Sequence, residues 1–251
     1  MKQSSRVIIL VKALPQPSKT YGEKVCCAGV TFEREWKRLF PIRFRHLSGD
    51  ARFRRWNIVE FEFDQPKRDN RRESCHVFED SLRVVGSVKP AERSALLSPM
   101  FSGSAKSAAS NGDSLTLIRP KTTKFIYKKR TSDQIEAQKT AFRRAARQLS
   151  FLDSELQELE PSPYDFRFLF EDDSGRHDYA CGDWEVHAMF YKERRRTNEA
   201  SALMWLNETF NERYPKLGMA FALGNMASRP QTWQLLGVLR LDEAPQTELL
   251  L

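Results

Sequence analysis

The stretch RLFPIRFRHLSGDARFRRW, Arg38 to Trp56, sets six arginines, three phenylalanines and a tryptophan within nineteen residues. These types suit one chemistry above others. Guanidinium forks match phosphate oxygens and lie flat on bases. Aromatic rings give unpaired bases a platform. Arg38, Arg43, Arg45, Arg52, Arg54 and Arg55 are the candidate phosphate contacts here, with Phe44, Phe53 and Trp56 as candidate stacking rings. The competing reading is a half-buried strand, rings inward and arginines solvated, because alternation is common to both. A second basic run, KFIYKKR, supplies Lys128, Lys129 and Arg130. It leads into a segment that carries Arg143, Arg144 and Arg147. A positive strand-to-helix junction also suits phosphate.

RHDYACGDWEVH is the other dense block. Its His177, Asp183 and Glu185 are the candidates for an alternative chemistry, phosphodiester hydrolysis assisted by a bound Mg²⁺ or Mn²⁺. Two carboxylates at i and i+2 diverge on a helix, and Asp183 also fits a helix N-cap. His177, Cys181 and His187 lack structural zinc spacing. The motifs GxGxxG, GxxxxGK[ST], HExxH and GxSxG are absent, which weighs against dehydrogenase, nucleotide-hydrolase, zinc-protease and esterase chemistry. No cofactor is expected for the leading reading, a binding protein without chemistry of its own.

The elements that must position these residues read as strands first, then helices and hairpins mixed. RVIILVKAL, the paired runs EKVCCAGVT and EWKRLFPIRF, WNIVEFEFD and SLRVVGSVKP are strand-like. In the fourth, Val59, Phe61 and Phe63 share one face. PAERSALLSPMF suits a short helix, and the small, polar SGSAKSAASNGDS suits a flexible linker. Thr131 or Ser132 can cap a helix over 133–152. YDFRFLFED alternates strictly, and two helices and a closing hairpin follow. The expected class is α+β. Residues 1–101 form a basic β-rich domain, with a small barrel among its candidate forms. Residues 102–114 are the linker, and 115–251 a mixed helix and hairpin domain.

Charge is uneven along the chain. Residues 1–150 hold 31 Lys+Arg against 15 Asp+Glu, and residues 151–251 hold 10 against 18. A basic pole attracts polyphosphate by counterion release. An acidic one suits a protein partner, and a non-catalytic assembly subunit is the third reading. The longest aliphatic run is far too short to span a membrane, and the N-terminus has no signal-peptide pattern. Four cysteines without a CxxC pair suit a reducing cytoplasm.

The blocks KTYGEKVCCAGV, WKRLFPIRFRHL, CGDWEVHAMF and RPQTWQLLGVLRL together resemble a family of prokaryotic proteins over most of the chain. That resemblance implies no activity and assigns no site residues.

Overall fold

The computed structural model describes residues 2–14, 16–18, 22–24, 26–43, 47–67, 69–149 and 161–243. For 16–18, 22–24, 142 and 144–149 it describes the backbone alone. The fold is α+β and rich in strand. The chain divides into two compact units. The first comprises residues 1–87, 127–166 and 182–184; the second comprises 88–126, 167–181 and 185–251.

The first unit is built on a closed five-stranded barrel. Its strands are β1 (Gln3–Lys12), β4 (Cys27–Val30), β5 (Trp36–Phe40), β6 (Asn57–Asp64) and β7 (Ser74–Val77). They run in the order β1-β4-β5-β7-β6, and β6 closes back on β1. β8 (Arg83–Ser87) adds to the outer edge of β6. The short strands β2 (Gln16–Ser18) and β3 (Gly22–Lys24) form a hairpin between β1 and β4.

Closure depends on stagger. The first half of β1, Gln3 to Ile8, pairs with β6, and the second half, Ile8 to Lys12, pairs with β4. Gly29 sits where these strands press together. A Cβ there would fall 2.4 Å from the Ile8 carbonyl oxygen, so only glycine fits.

Alternation then fills the interior. Val7 and Ile9 of β1, Cys27 of β4, Leu39 of β5, Val59, Phe61 and Phe63 of β6, and Cys75 and Val77 of β7 form one buried cluster. The outward neighbours are charged and paired across strands: Arg6 reaches Glu60 at 3.1 Å and Lys2 reaches Glu62 at 3.3 Å.

Helix α3 (Ser132–Leu149) also belongs to the first unit and lies beside the β2–β3 hairpin. Its start is a capping box: Gln134 N donates to Thr131 Oγ1 at 3.3 Å, and Thr131 N donates to Gln134 Oε1 at 3.0 Å.

The second unit holds a four-stranded sheet in the order β15-β14-β10-β9, where β9 is Phe101–Ser102, β10 Leu115–Ile118, β14 Met219–Met226 and β15 Arg229–Arg240. A further sheet, β11 (Thr122–Lys129), β12 (Tyr164–Asp172) and β13 (Gly175–Ala180), carries residues of both units. Its helices are α1 (Arg93–Leu97), α2 (Ala105–Ser110), α4 (Trp184–Arg196, whose first residue falls in the first unit), α5 (Glu199–Glu208) and α6 (Tyr214–Lys216). A π-helical segment, Thr209–Arg213, joins the last two.

Phe125, Phe168, Phe170, Phe210 and Phe221 are each 3% exposed or less and form its aromatic core. Phe168 stands at the centre, with ring centroids 5.3 Å from Phe125, 5.5 Å from Phe210 and 5.3 Å from Phe221.

Residues 102–114, read from composition as a flexible linker, contain the helix α2. Ser104 caps α2 by accepting from Ser107 N at 3.0 Å, and Ala105 and Ala108 are buried. Small side chains here permit close seating of a short helix, a use that composition alone cannot separate from flexibility.

Candidate functional site

The candidate residues of the first unit take very different positions. The chain from Ser48 to Trp56 enters β6 through a 3-10 turn at Gly49–Ala51 and a tight turn at Arg54–Asn57. The second turn is closed by Asn57 N to Arg54 O at 3.1 Å, and Trp56 holds φ at 70°. Phe53 is 4% exposed and Trp56 is 6% exposed. Phe53 belongs to the barrel core. Neither ring is presented to solvent, so both are core rings as the competing reading has them, though on a loop and not on a strand: they anchor the loop and offer no platform for bases.

Arg55 also turns inward. Its Nη2 lies 2.7 Å from both carboxylate oxygens of Asp183, whose side chain is fully buried. Asp183 is held in turn against the end of β1, by a bridge with Ala13 and by Leu14 N donating to the Gly182 carbonyl at 2.8 Å. Trp184 packs on the barrel core beside it. Arg52 and Arg54 face outward. Both are exposed, and among the described residues neither side chain is ion-paired.

The other candidates divide similarly. Arg38 is buried and lies 3.5 Å from Glu73. Arg43 is engaged by Glu79, Nε to Oε2 at 2.9 Å. Lys128 and Lys129 are exposed. Arg130 reaches Gln138 at 2.6 Å and Asp165 at 3.7 Å. Arg143 lies 3.1 Å from Glu136. Phe44 and Arg45 lie outside the described residues, as do the side chains of Arg144 and Arg147.

Topology gathers part of this set at one end of the barrel. Trp56 N donates to Ile9 O at 2.8 Å, which fixes the arginine loop to the C-terminal half of β1. The β2–β3 hairpin leaves from that same end of β1, and α3 lies beside the hairpin. The uneven charge of the sequence does not follow the two units. By residue range the first has 25 Lys+Arg against 19 Asp+Glu and the second 16 against 14, and the described Asp165 and Asp183, late in the sequence, fall in the first.

In the second unit, His177 meets Asp172 rather than a metal-binding pair. Its Nε2 lies 2.8 Å from Asp172 Oδ1. Ser174 N and Oγ each donate to that same oxygen at 2.7 Å, and Ser174 Oγ is 3.3 Å from His177 Nε2. Serine, histidine and aspartate therefore converge, but on one ring nitrogen. A nucleophilic relay needs the carboxylate and the hydroxyl on opposite nitrogens. The cluster ties the β12–β13 turn instead.

Burial pushes the Asp172 carboxyl up. Hydrogen bonds from His177 and Ser174 outweigh burial and hold it below the ordinary carboxylate range. A depressed folded-state value contributes stability above the unfolded value, near 4, and that stability is lost as pH falls through the carboxylate range. Wild type is therefore expected to exceed Asp172→Asn in unfolding free energy at pH 7, with the gap closing on acidification. Denaturant melts at several pH values read this out.

Glu185 is half-buried in α4, and His187 Nε2 lies 3.2 Å from the Cys181 carbonyl. Among the described residues no three His, Cys, Asp or Glu side chains are grouped to hold a metal ion. The four cysteines are free thiols. Burial pushes Cys75 up to about 12, too high for a thiolate nucleophile at neutral pH. No helix among the described residues is long and apolar enough to cross a membrane.

The loop and the strap at 182–184 were only partly readable in sequence. Arg52 and Arg54 stand out by composition. Asp172 and Ser174 read only as turn formers, and nothing local marks Asp183 as the partner of Arg55.

Comparison with known proteins places the chain in a family. Residues 102–250 match the model of a domain of unknown function (DUF8757), and the chain belongs to that family. Residues 3–99 match a second model, also a domain of unknown function (DUF8758). No curated protein and no solved structure matches the chain.

Proposed function

We propose that this protein binds nucleic acid by its phosphate backbone, at the barrel end where the 48–56 loop meets β1. One observation carries the reading: Arg52 and Arg54 stand exposed and unpaired among the described residues, on a loop held from within by Phe53, Arg55 and Trp56. Two guanidinium groups two residues apart have the reach to take neighbouring phosphates.

Lys128 and Lys129, just before α3, add exposed cations, and α3 itself carries Arg143, Arg144 and Arg147. Small closed barrels commonly present such surfaces to oligonucleotides. With Phe53 and Trp56 in the core, recognition rests on charge and shape, so sequence preference is weak. The thiols suit a reducing cytoplasm, in keeping with the resemblance to prokaryotic proteins. The acidic segment after residue 150 suits contact with a protein partner.

Fluorescence anisotropy with labelled single-stranded and duplex DNA and RNA, each titrated across salt, tests the reading. Binding that weakens linearly in log salt is expected for at least one probe. Failure to bind all four at low salt ends the proposal.

A further inference from the structure

We infer that Asp183 is a positioning residue for the nucleic-acid loop: by holding Arg55 inside, it aims Arg52 and Arg54 outward at phosphate. The inference rests on the proposed function for its readout.

The sequence creates the problem that Asp183 solves. Arg54 opens the tight turn at 54–57 and is exposed, whereas Arg55, inside that turn, lies between the buried Phe53 and Trp56. Its side chain is carried to a site where it is 11% exposed. An inward guanidinium needs a counter-charge. Asp183 supplies one from a strap 128 residues away in sequence, with both oxygens 2.7 Å from Nη2.

The strap is itself fixed, by the Ala13 bridge, by Leu14 N to Gly182 O and by Trp184 on the core. A buried ion pair is a poor source of net stability, and registry is its best-attested use. Backbone strain points the same way. Trp56 is a bulky residue at φ 70°, a conformation that persists only where the surroundings over-determine it, and such strain gathers at working loops.

The test compares wild type, Asp183→Asn, Arg52→Ala/Arg54→Ala and the combined triple variant. Each is checked for folding by circular dichroism, and binding to a labelled 20-nucleotide DNA strand is measured across salt. Asp183→Asn keeps the shape of the side chain and removes its charge. It is expected to weaken binding by roughly tenfold at low salt and to flatten the salt slope as the arginine pair does. The triple variant is then expected to match the arginine double variant within about twofold, because the three residues act as one unit.

An unchanged slope in Asp183→Asn, or losses that add in the triple variant, overturns the inference. If Asp183→Asn does not fold, Arg55→Met/Asp183→Leu replaces the pair with apolar groups that need no counter-charge, and the same loss of slope is expected.

Amide hydrogen exchange separates this inference from the reading that it rests on. Asp183→Asn is expected to speed exchange at residues 52–57 with no nucleic acid present, and unchanged protection there contradicts the positioning role. Wild-type protein that binds no probe overturns the proposed function instead.

Discussion

Asp183→Ala is expected to lower the unfolding free energy by about 3–5 kcal/mol, the cost of removing one partner of a buried ion pair. Arg55 would keep its charge in a nearly closed site and lose the two oxygens now at 2.7 Å. The strap would lose this side-chain tie to the arginine loop and keep its backbone bonds at Ala13 and Leu14 and the packing of Trp184 on the core. Urea unfolding followed by tryptophan fluorescence measures this, since Trp56 and Trp184 both border the affected region. The paired replacement Arg55→Met/Asp183→Leu is expected to remain much closer to wild type, because it leaves no uncompensated charge. A loss below about 1 kcal/mol in Asp183→Ala would mean that water reaches the site and screens Arg55.

Phe168→Ala carries a comparable cost in the second unit, about 3–5 kcal/mol for an aromatic side chain removed from a packed core. Phe168 has no exposed surface and meets three other phenylalanine rings. The cavity would open between two strands and a helical segment that cannot collapse together without moving the sheet. Phe168→Leu, which refills much of that volume, is expected to cost markedly less. Denaturant midpoints for the two variants make the comparison, and equal losses would contradict the packing account.

How far the sequence reveals this protein varies with the range of the interaction. Val59, Phe61 and Phe63 alternate, and all three point into the barrel. YDFRFLFED alternates strictly, and its alternate positions from Tyr164 to Asp172 are all buried. Period-2 patterning is a local property, so single strands are legible. Their partners are not. β7 has four residues behind a polar loop, and its parallel pairing with β5 depends on chain far away. Arg55 and Asp183 are invisible as a pair for the same reason.

The dense arginine and aromatic block shows the remaining ambiguity. Composition offers rings and cations together, but only the barrel decides that Phe53 and Trp56 are anchors, that Arg38 and Arg55 are neutralised, and that Arg52 and Arg54 are displayed. Charge counted along the chain misleads in a related way, because Asp165 and Asp183 come late in the sequence and yet belong to the first unit.

The most direct measurement is the dependence of DNA affinity on salt for wild type and Arg52→Ala/Arg54→Ala. Loss of two phosphate contacts should make the slope of log K against log salt shallower by roughly 1.4 to 1.8. Two parallel lines would show that these arginines do not touch phosphate and would contradict the account.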